Sequence, residues 1–310
     1  MLLVQPFAAS PVAAMPIRRR VAPFPTAPKR RSAKPPTGVP SMPIRLLPWA
    51  GLAFCLLACA SRSGVVQKKA SANPEQRFWQ AVEKADVVYV GETHDAPADH
   101  RYELELVRGL LKRKMNFAIG WEMFDRTQQG TIDAWAFHAI SLKELLVKTD
   151  FQKHWGIYSP VYERILLVAG NAKVPNLALN APPELAGKIA RGEPLTAEER
   201  GVMPAGFVST EQGYRNFVGM MGDHPGMGQM DQRRFFAAQN VWDQTMASRI
   251  LEFKRQNPIV RLVVFTGRGH VSGGYGIPFY VRQKANLQQL ILLPRGPRIG
   301  KGAEIIDTTP

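Results

Sequence analysis

Residues 86–121 read DVVYVGETHDAPADHRYELELVRGLLKRKMNFAIGW. Asp86 to Gly91 is a short apolar run closed by glycine, the pattern of a buried strand. Ala98 to Lys114 follows, with Leu104, Val107, Leu110 and Leu111 at helical spacing, so one stripe faces a core. Asn116 to Trp121 is a second strand-like run.

The rhythm continues outward. Helices are expected over Ile132 to Lys148, Val161 to Asn171 and Gln239 to Gln256, the last stopped by Asn257-Pro258. Strands are expected over Val174 to Leu179, the β-branched run Val260 to Thr266, and Leu287 to Leu293. Alternating strands and helices imply an α/β fold with a mostly parallel sheet flanked by helices. Residues 182–234 break the pattern with scattered Gly and Pro and five methionines, Met203, Met220, Met221, Met227 and Met230. This segment reads as a helical insertion over the carboxyl ends of the strands, its methionines serving core packing more than a binding surface. The folded domain spans 75–300, and 301–310 reads as a tail.

Chemistry gathers where strands end. Gly91-Glu92-Thr93-His94 follows the first strand and Gly267-Arg268-Gly269-His270 follows the strand at 260–266. Glu122 follows the second strand and Asn180 the third. Open α/β sheets bind ligands at that edge, and glycine permits a sharp turn there. One strand-end histidine alone would be structural; four strand ends bearing site-competent groups point to a site. His94, His270, Glu92 and Glu122 are therefore expected to hold a divalent ion, with Glu92 or Glu122 as base should the site be hydrolytic. His100, six residues from His94, is a weaker candidate, either supporting a ligand or lying at the surface. Asp95 and Asp99 read as helix N-cap groups. Asp243, on an apolar helix, needs a partner if buried, and the strand-end His and Arg groups are candidates.

The net charge of +15 suggests nucleic acid until it is located. Of 40 Lys and Arg, 11 fall in residues 1–69, which hold no Asp or Glu; the other 29 face 25 acidic residues. The folded part is mildly basic, so nucleic acid is not an expected partner. Residues 1–58 read as a targeting segment, of which 1–41 is consistent with an over-called start and Met42 with the true initiator. Leu46 to Ala58 is an apolar run of 13 residues after a charged start, too short to span a bilayer and suited to a signal-peptide core. Leu56-Leu57-Ala58-Cys59 resembles the bacterial lipobox, which implies acylation of Cys59 and a tether over 59–74. Ala60 after the cysteine favours the outer membrane of the bacterial envelope. The second cysteine, Cys55, lies in the cleaved part, and two cysteines exclude a disulfide scaffold or Cys-rich zinc module.

Gly91-Glu92-Thr93-His94, Trp121-Glu122, Ala178-Leu179-Asn180, Ala238-Gln239…Trp242-Asp243…Met246-Ala247 and Gly267-Arg268-Gly269-His270-Val271…Gly276-Ile277-Pro278 together resemble the ChaN-type haem-binding lipoprotein family, from about residue 75 to 294. That family sits in a wider group with the erythromycin esterases and Tiki proteases, whose sites use paired Gly-x-x-His motifs and acidic residues. The resemblance implies haem as cofactor, a role in bacterial iron or haem uptake, a lipid anchor in the membrane, and a homodimer or a haem-uptake receptor as partners. It also implies a tyrosinate ligand. Tyr158, Tyr162 and Tyr275, with His224, are the haem-ligand candidates, and no motif singles out one of them. Absence of Cys-x-x-Cys-His excludes covalent attachment. Two functions follow: a haem-binding lipoprotein, which is favoured, or a metal-dependent hydrolase of protease or esterase type at the strand ends.

Overall fold

A computed structural model describes residues 73–156, 160–222, 231–299 and 303–307. The targeting segment, Cys59, Tyr158 and His224 lie outside the described residues. Among those described, no helix is long and apolar enough to cross a membrane.

Six strands form one sheet: β1 (Val87–Glu92), β2 (Phe117–Asp125), β3 (Asn176–Asn180), β4 (Arg261–Gly267), β5 (Gln289–Pro294) and β6 (Ala303–Asp307), in the order β3-β2-β4-β1-β5-β6. The first five are mutually parallel and β6 runs antiparallel to β5. The sheet is covered on both faces, as its unbroken apolar runs require. On one face Val88, Val90, Ile119, Trp121, Val263 and Phe265 meet α1 (Pro74–Lys84), α2 (Pro97–Lys112) and α6 (Pro160–Asn171). On the other, Val87, Tyr89, Leu262 and Val264 meet α10 (Gln232–Gln256) and α11 (Ile277–Arg282). The alternation of Val87 with Val88 and Val263 with Val264 between the faces is the period-2 pleat.

Three boundaries differ from the sequence reading. The helix expected over 132–148 is two helices, α3 (Gln129–Ala136) and α4 (Leu142–Lys148). His138 between them has φ +58°, and Ser141 caps α4 reciprocally with Glu144. Residues 303–307, read as tail, are β6. Helix α10 begins at Gln232, so the insertion ends in that helix. Its other described parts are α7 (Pro183–Arg191), α8 (Ala197–Gly201) and α9 (Glu211–Met221); α5 (Phe151–Trp155) precedes α6. Met203 packs with Leu185 and Val241 beneath α7, while Met220 is exposed.

The β3 edge is closed by side chains. Gln129 donates from Nε2 to the Asn176 carbonyl (3.0 Å) and accepts from the Ala178 N–H (2.9 Å). Arg249 Nε donates to the Ala178 carbonyl at 3.4 Å.

Candidate active site at the carboxyl ends of the strands

Strands β2, β4 and β1 are neighbours, so Glu122, the Gly267–His270 turn and Glu92–His94 come out side by side. The four residues come to one edge of the sheet, where His94, Glu122 and His270 line a common cavity and Glu92 lies behind His94. Gly267 makes this possible: a Cβ there would lie 2.6 Å from His94 Cε1 and 3.7 Å from His270 Cδ2, so only glycine admits both rings. His94 packs edge-on against Trp155, ring centroids 4.6 Å apart. A cavity of about 270 Å³ opens above them, lined by His94, Glu122, Trp155, Asn180, Trp242 and His270.

The polar groups form two buried networks. In the first, His270 lies between two carboxylates, Nδ1 donating to Asp243 Oδ1 (2.5 Å) and Nε2 to Glu122 Oε1 (3.1 Å). Glu122 Oε2 also accepts from Thr266 Oγ1 (2.6 Å) and the Gly267 N–H (2.7 Å). In the second, Glu92 Oε1 accepts from His94 Nδ1 (2.8 Å) and from the Tyr162 hydroxyl. Glu92 Oε2 lies 3.0 Å from His100 Nδ1, which also reaches Glu103 Oε2 at 3.3 Å. His100 Nε2 donates to the His94 carbonyl at 2.8 Å. Asp99 does not cap through its own helix end; its Oδ2 accepts from the Thr93 N–H at 2.9 Å.

The electrostatics follow from burial and pairing. Burial would raise the Glu122 carboxyl, but His270, His94 and the Thr266 hydroxyl hold it at about 2. Burial likewise works against the Glu92 carboxylate, and the His100 and His94 imidazoles beside it hold it well below its usual range. Burial opposes charge on each imidazole too, yet carboxylates win: Glu92 raises His94, Glu103 and Glu92 raise His100 to about 10, and Glu122 and Asp243 raise His270. Glu103 is pushed up by burial and by Glu92, and Asp243 by burial. The sites thus hold two carboxylates ionised and two buried carboxyls inclined to keep a proton.

This fixes a pH dependence. Glu92 and Glu122 contribute stability that is present above the unfolded value of 4.5 and lost as pH falls towards the folded value, about 2 for Glu122. The three histidines contribute stability fully present below 6.5 and lost as pH rises through their raised values, about 10 for His100. Glu103 and Asp243, being raised, contribute stability that is present below their unfolded values of 4.5 and 3.8 and lost as pH rises through their folded values. Melting scans in chelating buffer should therefore peak between about pH 4.5 and 6.5 and fall on both flanks. A melting temperature climbing steadily from pH 6 to 9 would contradict the assignment.

His270 and Tyr162 are both committed to carboxylate partners. Both His270 ring nitrogens face carboxylates, Asp243 and Glu122, so His270 and Glu122 belong to one hydrogen-bonded network and His94 and Glu92 to the other. Tyr162 cannot present a tyrosinate to haem. It is 1% exposed, its hydroxyl is committed to Glu92, and burial together with the Glu92 and Glu103 charges raises its pKa. Tyr275 lies elsewhere, half-buried in a second cavity of about 420 Å³ among α9, α10 and α11. Sequence reasoning undervalued His100 and missed Glu103. Their signal was present: positions 100, 103, 104, 107 and 110 form one helical stripe, so a His and a Glu sit among core leucines.

Residues 78–281, about two-thirds of the chain, match the protein family described as haem-binding uptake, Tiki superfamily, ChaN. Among solved structures, that of ChaN of Campylobacter jejuni with cofacial haem is similar at a TM-score of 0.57 and 20% identity, covering 74% of this chain and 89% of that one. At this identity the likeness is one of fold. RRSP, a MARTX toxin effector domain from Vibrio vulnificus, aligns at a TM-score of 0.43 and 15% identity over 77% of this chain and 38% of its own. The erythromycin esterase EreC in its open conformation aligns at 0.41 and 14% over 74% and 78%. No curated protein matches the chain by sequence.

Proposed function

The chain belongs to the haem-binding uptake family ChaN of the Tiki superfamily, and from that premise we propose that it is a haem-binding lipoprotein of a bacterial haem- or iron-uptake pathway. The family match over 78–281 carries this reading. The cavity of about 420 Å³ supports it chemically. Its volume falls in the range of small-molecule sites, roughly 300–1,000 Å³. Phe217, Phe236, Phe279 and Tyr280 supply an apolar wall, Tyr275 a phenol and Arg215 a cation. These are the groups a porphyrin plane, its iron and its propionates require. Haem bound there would supply an iron centre for storage or relay; the chain's part is to ligate through Tyr275, neutralise the propionates through Arg215 and exclude water with the aromatic wall.

The signal-like run before Cys59 supports a lipid anchor at that residue and a place at the outer membrane. A second copy of the chain and a haem-uptake receptor are the partners in this proposal. Titration of the purified chain with haem should give a saturable, shifted Soret band at one haem per cavity, and Tyr275→Phe should weaken binding at least tenfold. Palmitate should label the wild type and not Cys59→Ala. A Soret band insensitive to Tyr275→Phe would reject this cavity; absence of any band would reject haem binding.

One observation favours a second reading. Of the network groups lining the strand-end cavity, His94 is the most exposed, its side chain 33% open to solvent, and it is backed by an ionised Glu92. Such a pair can transfer a proton to a substrate lying against Trp155 and Trp242, which is the chemistry of an esterase- or protease-like site.

A further inference from the structure

Beneath His94, away from either cavity, three ligand-type side chains converge. Glu92 closes β1; His100 and Glu103 lie three residues apart on α2. Each offers an atom within 4.8 Å of the others, and all three side chains are at most 1% exposed. Two of their oxygens, Glu92 Oε2 and Glu103 Oε1, have no hydrogen-bond partner. Buried carboxylate oxygens are seldom left so.

The imidazole is turned for ligation. Nε2 faces the His94 carbonyl at 2.8 Å and so carries a proton to donate. In the neutral ring Nδ1 then presents its lone pair to both carboxylates. Metal-bound histidines are commonly oriented by such a donation from the other nitrogen. The Tyr162 ring packs on the imidazole, centroids 4.2 Å apart, and its hydroxyl fixes the far oxygen of Glu92.

We infer that Glu92, His100 and Glu103 bind one divalent first-row transition-metal ion through His100 Nδ1, Glu92 Oε2 and both oxygens of Glu103. An ion about 2.1 Å from each donor would subtend the observed 3.0 and 3.3 Å N···O edges at roughly 90° and 105°, between octahedral and tetrahedral angles. Two carboxylates and a neutral imidazole carry a double negative charge, which a divalent ion balances. One nitrogen with carboxylate oxygens suits zinc or manganese. The donors are closed to solvent, so the ion braces the end of β1 against α2 and holds Glu92 in place. It is distinct from haem and stands or falls independently of the haem reading. The competing occupants are protons on His100 and Glu103.

The test uses the purified full chain, stripped with chelator and titrated with Zn²⁺ under equilibrium dialysis and thermal melting. One ion per chain should bind, and the melting temperature should rise by about 5–10 °C at a hundredfold excess over Kd. Glu103→Gln keeps the shape and removes a charge; it should weaken binding at least tenfold and abolish most of the thermal gain. His270→Gln, in the neighbouring network, should leave Zn²⁺ affinity within about twofold, by the independence of separate sites. No bound ion at about 100 μM free Zn²⁺, weaker than any structural site, would overturn the inference. So would undiminished binding by Glu103→Gln, or an ion lost with His270→Gln and kept with Glu103→Gln. His100→Ala should likewise lose the ion; should it fail to fold, the Glu103→Gln comparison decides alone.

Discussion

Glu122→Ala should be the most damaging single truncation in the domain. Its carboxylate accepts from Thr266, the Gly267 N–H and His270 in a pocket where it is 6% exposed. Alanine leaves all three donors without an acceptor, and the His270 charge keeps only Asp243 for compensation. Breaking one side of a buried ion pair costs about 3–5 kcal/mol. At roughly 2–4 °C per kcal/mol for a domain of this size, the melting temperature should drop by about 6–20 °C. Glu122→Gln retains an acceptor for Thr266 or Gly267 and should lose clearly less. Equal melting of wild type and Glu122→Ala would mean that the network does not hold the strand ends together.

Gly276→Ala should come next. Gly276 begins α11 with φ +67° and ψ −130°, a conformation that side-chain-bearing residues rarely adopt. A Cβ there would sit 2.3 Å from the His270 carbonyl oxygen and 3.0 Å from Asp243 Oδ2. The nearest obstacle is backbone and cannot swing aside. Strain of about 1–3 kcal/mol adds to an overpacking cost of similar size. Because the clash falls on His270 and Asp243, the ring should be displaced as well as the domain weakened, visible as a shifted His270 imidazole resonance. Gly130→Ala is the matched control: it lies in α3 with nothing within 4 Å of its added methyl, and should stabilise by up to about 1 kcal/mol. If both glycine variants melt alike, the tight approach at Gly276 is not a constraint.

The sheet was legible where the chain is apolar on both sides of the pleat. Val87–Val90 and Val263–Phe265 admit no other reading, and their position fixed which residues stand at the strand ends. β6 escaped because Ala303-Glu304-Ile305-Ile306-Asp307 covers an edge, and its two isoleucines are too few to show a period. The split between α3 and α4 was written in Ser141-Leu142-Lys143-Glu144, a capping sequence masked by the apolar periodicity running through it. At the site, motif position gave His94, His270, Glu92 and Glu122. Which partner each would take depends on rotamers and on the helices packed behind them. Tyr162 shows this: the family resemblance made it a candidate ligand, whereas the packing of α6 against α2 delivers its hydroxyl to Glu92.

The Gln129 side chain laid along β3 has a consequence for assembly. An exposed parallel strand offers alternate N–H and C=O groups to any extended segment that arrives, including a strand from another molecule. Here the Asn176 carbonyl, the Ala178 N–H and the Ala178 carbonyl are already bonded to Gln129 and Arg249. The domain carries its own imitation of a neighbouring strand on that side. Growth of the sheet by strand addition is blocked there, so a companion molecule meeting this flank must recognise side chains and helix surfaces instead of backbone.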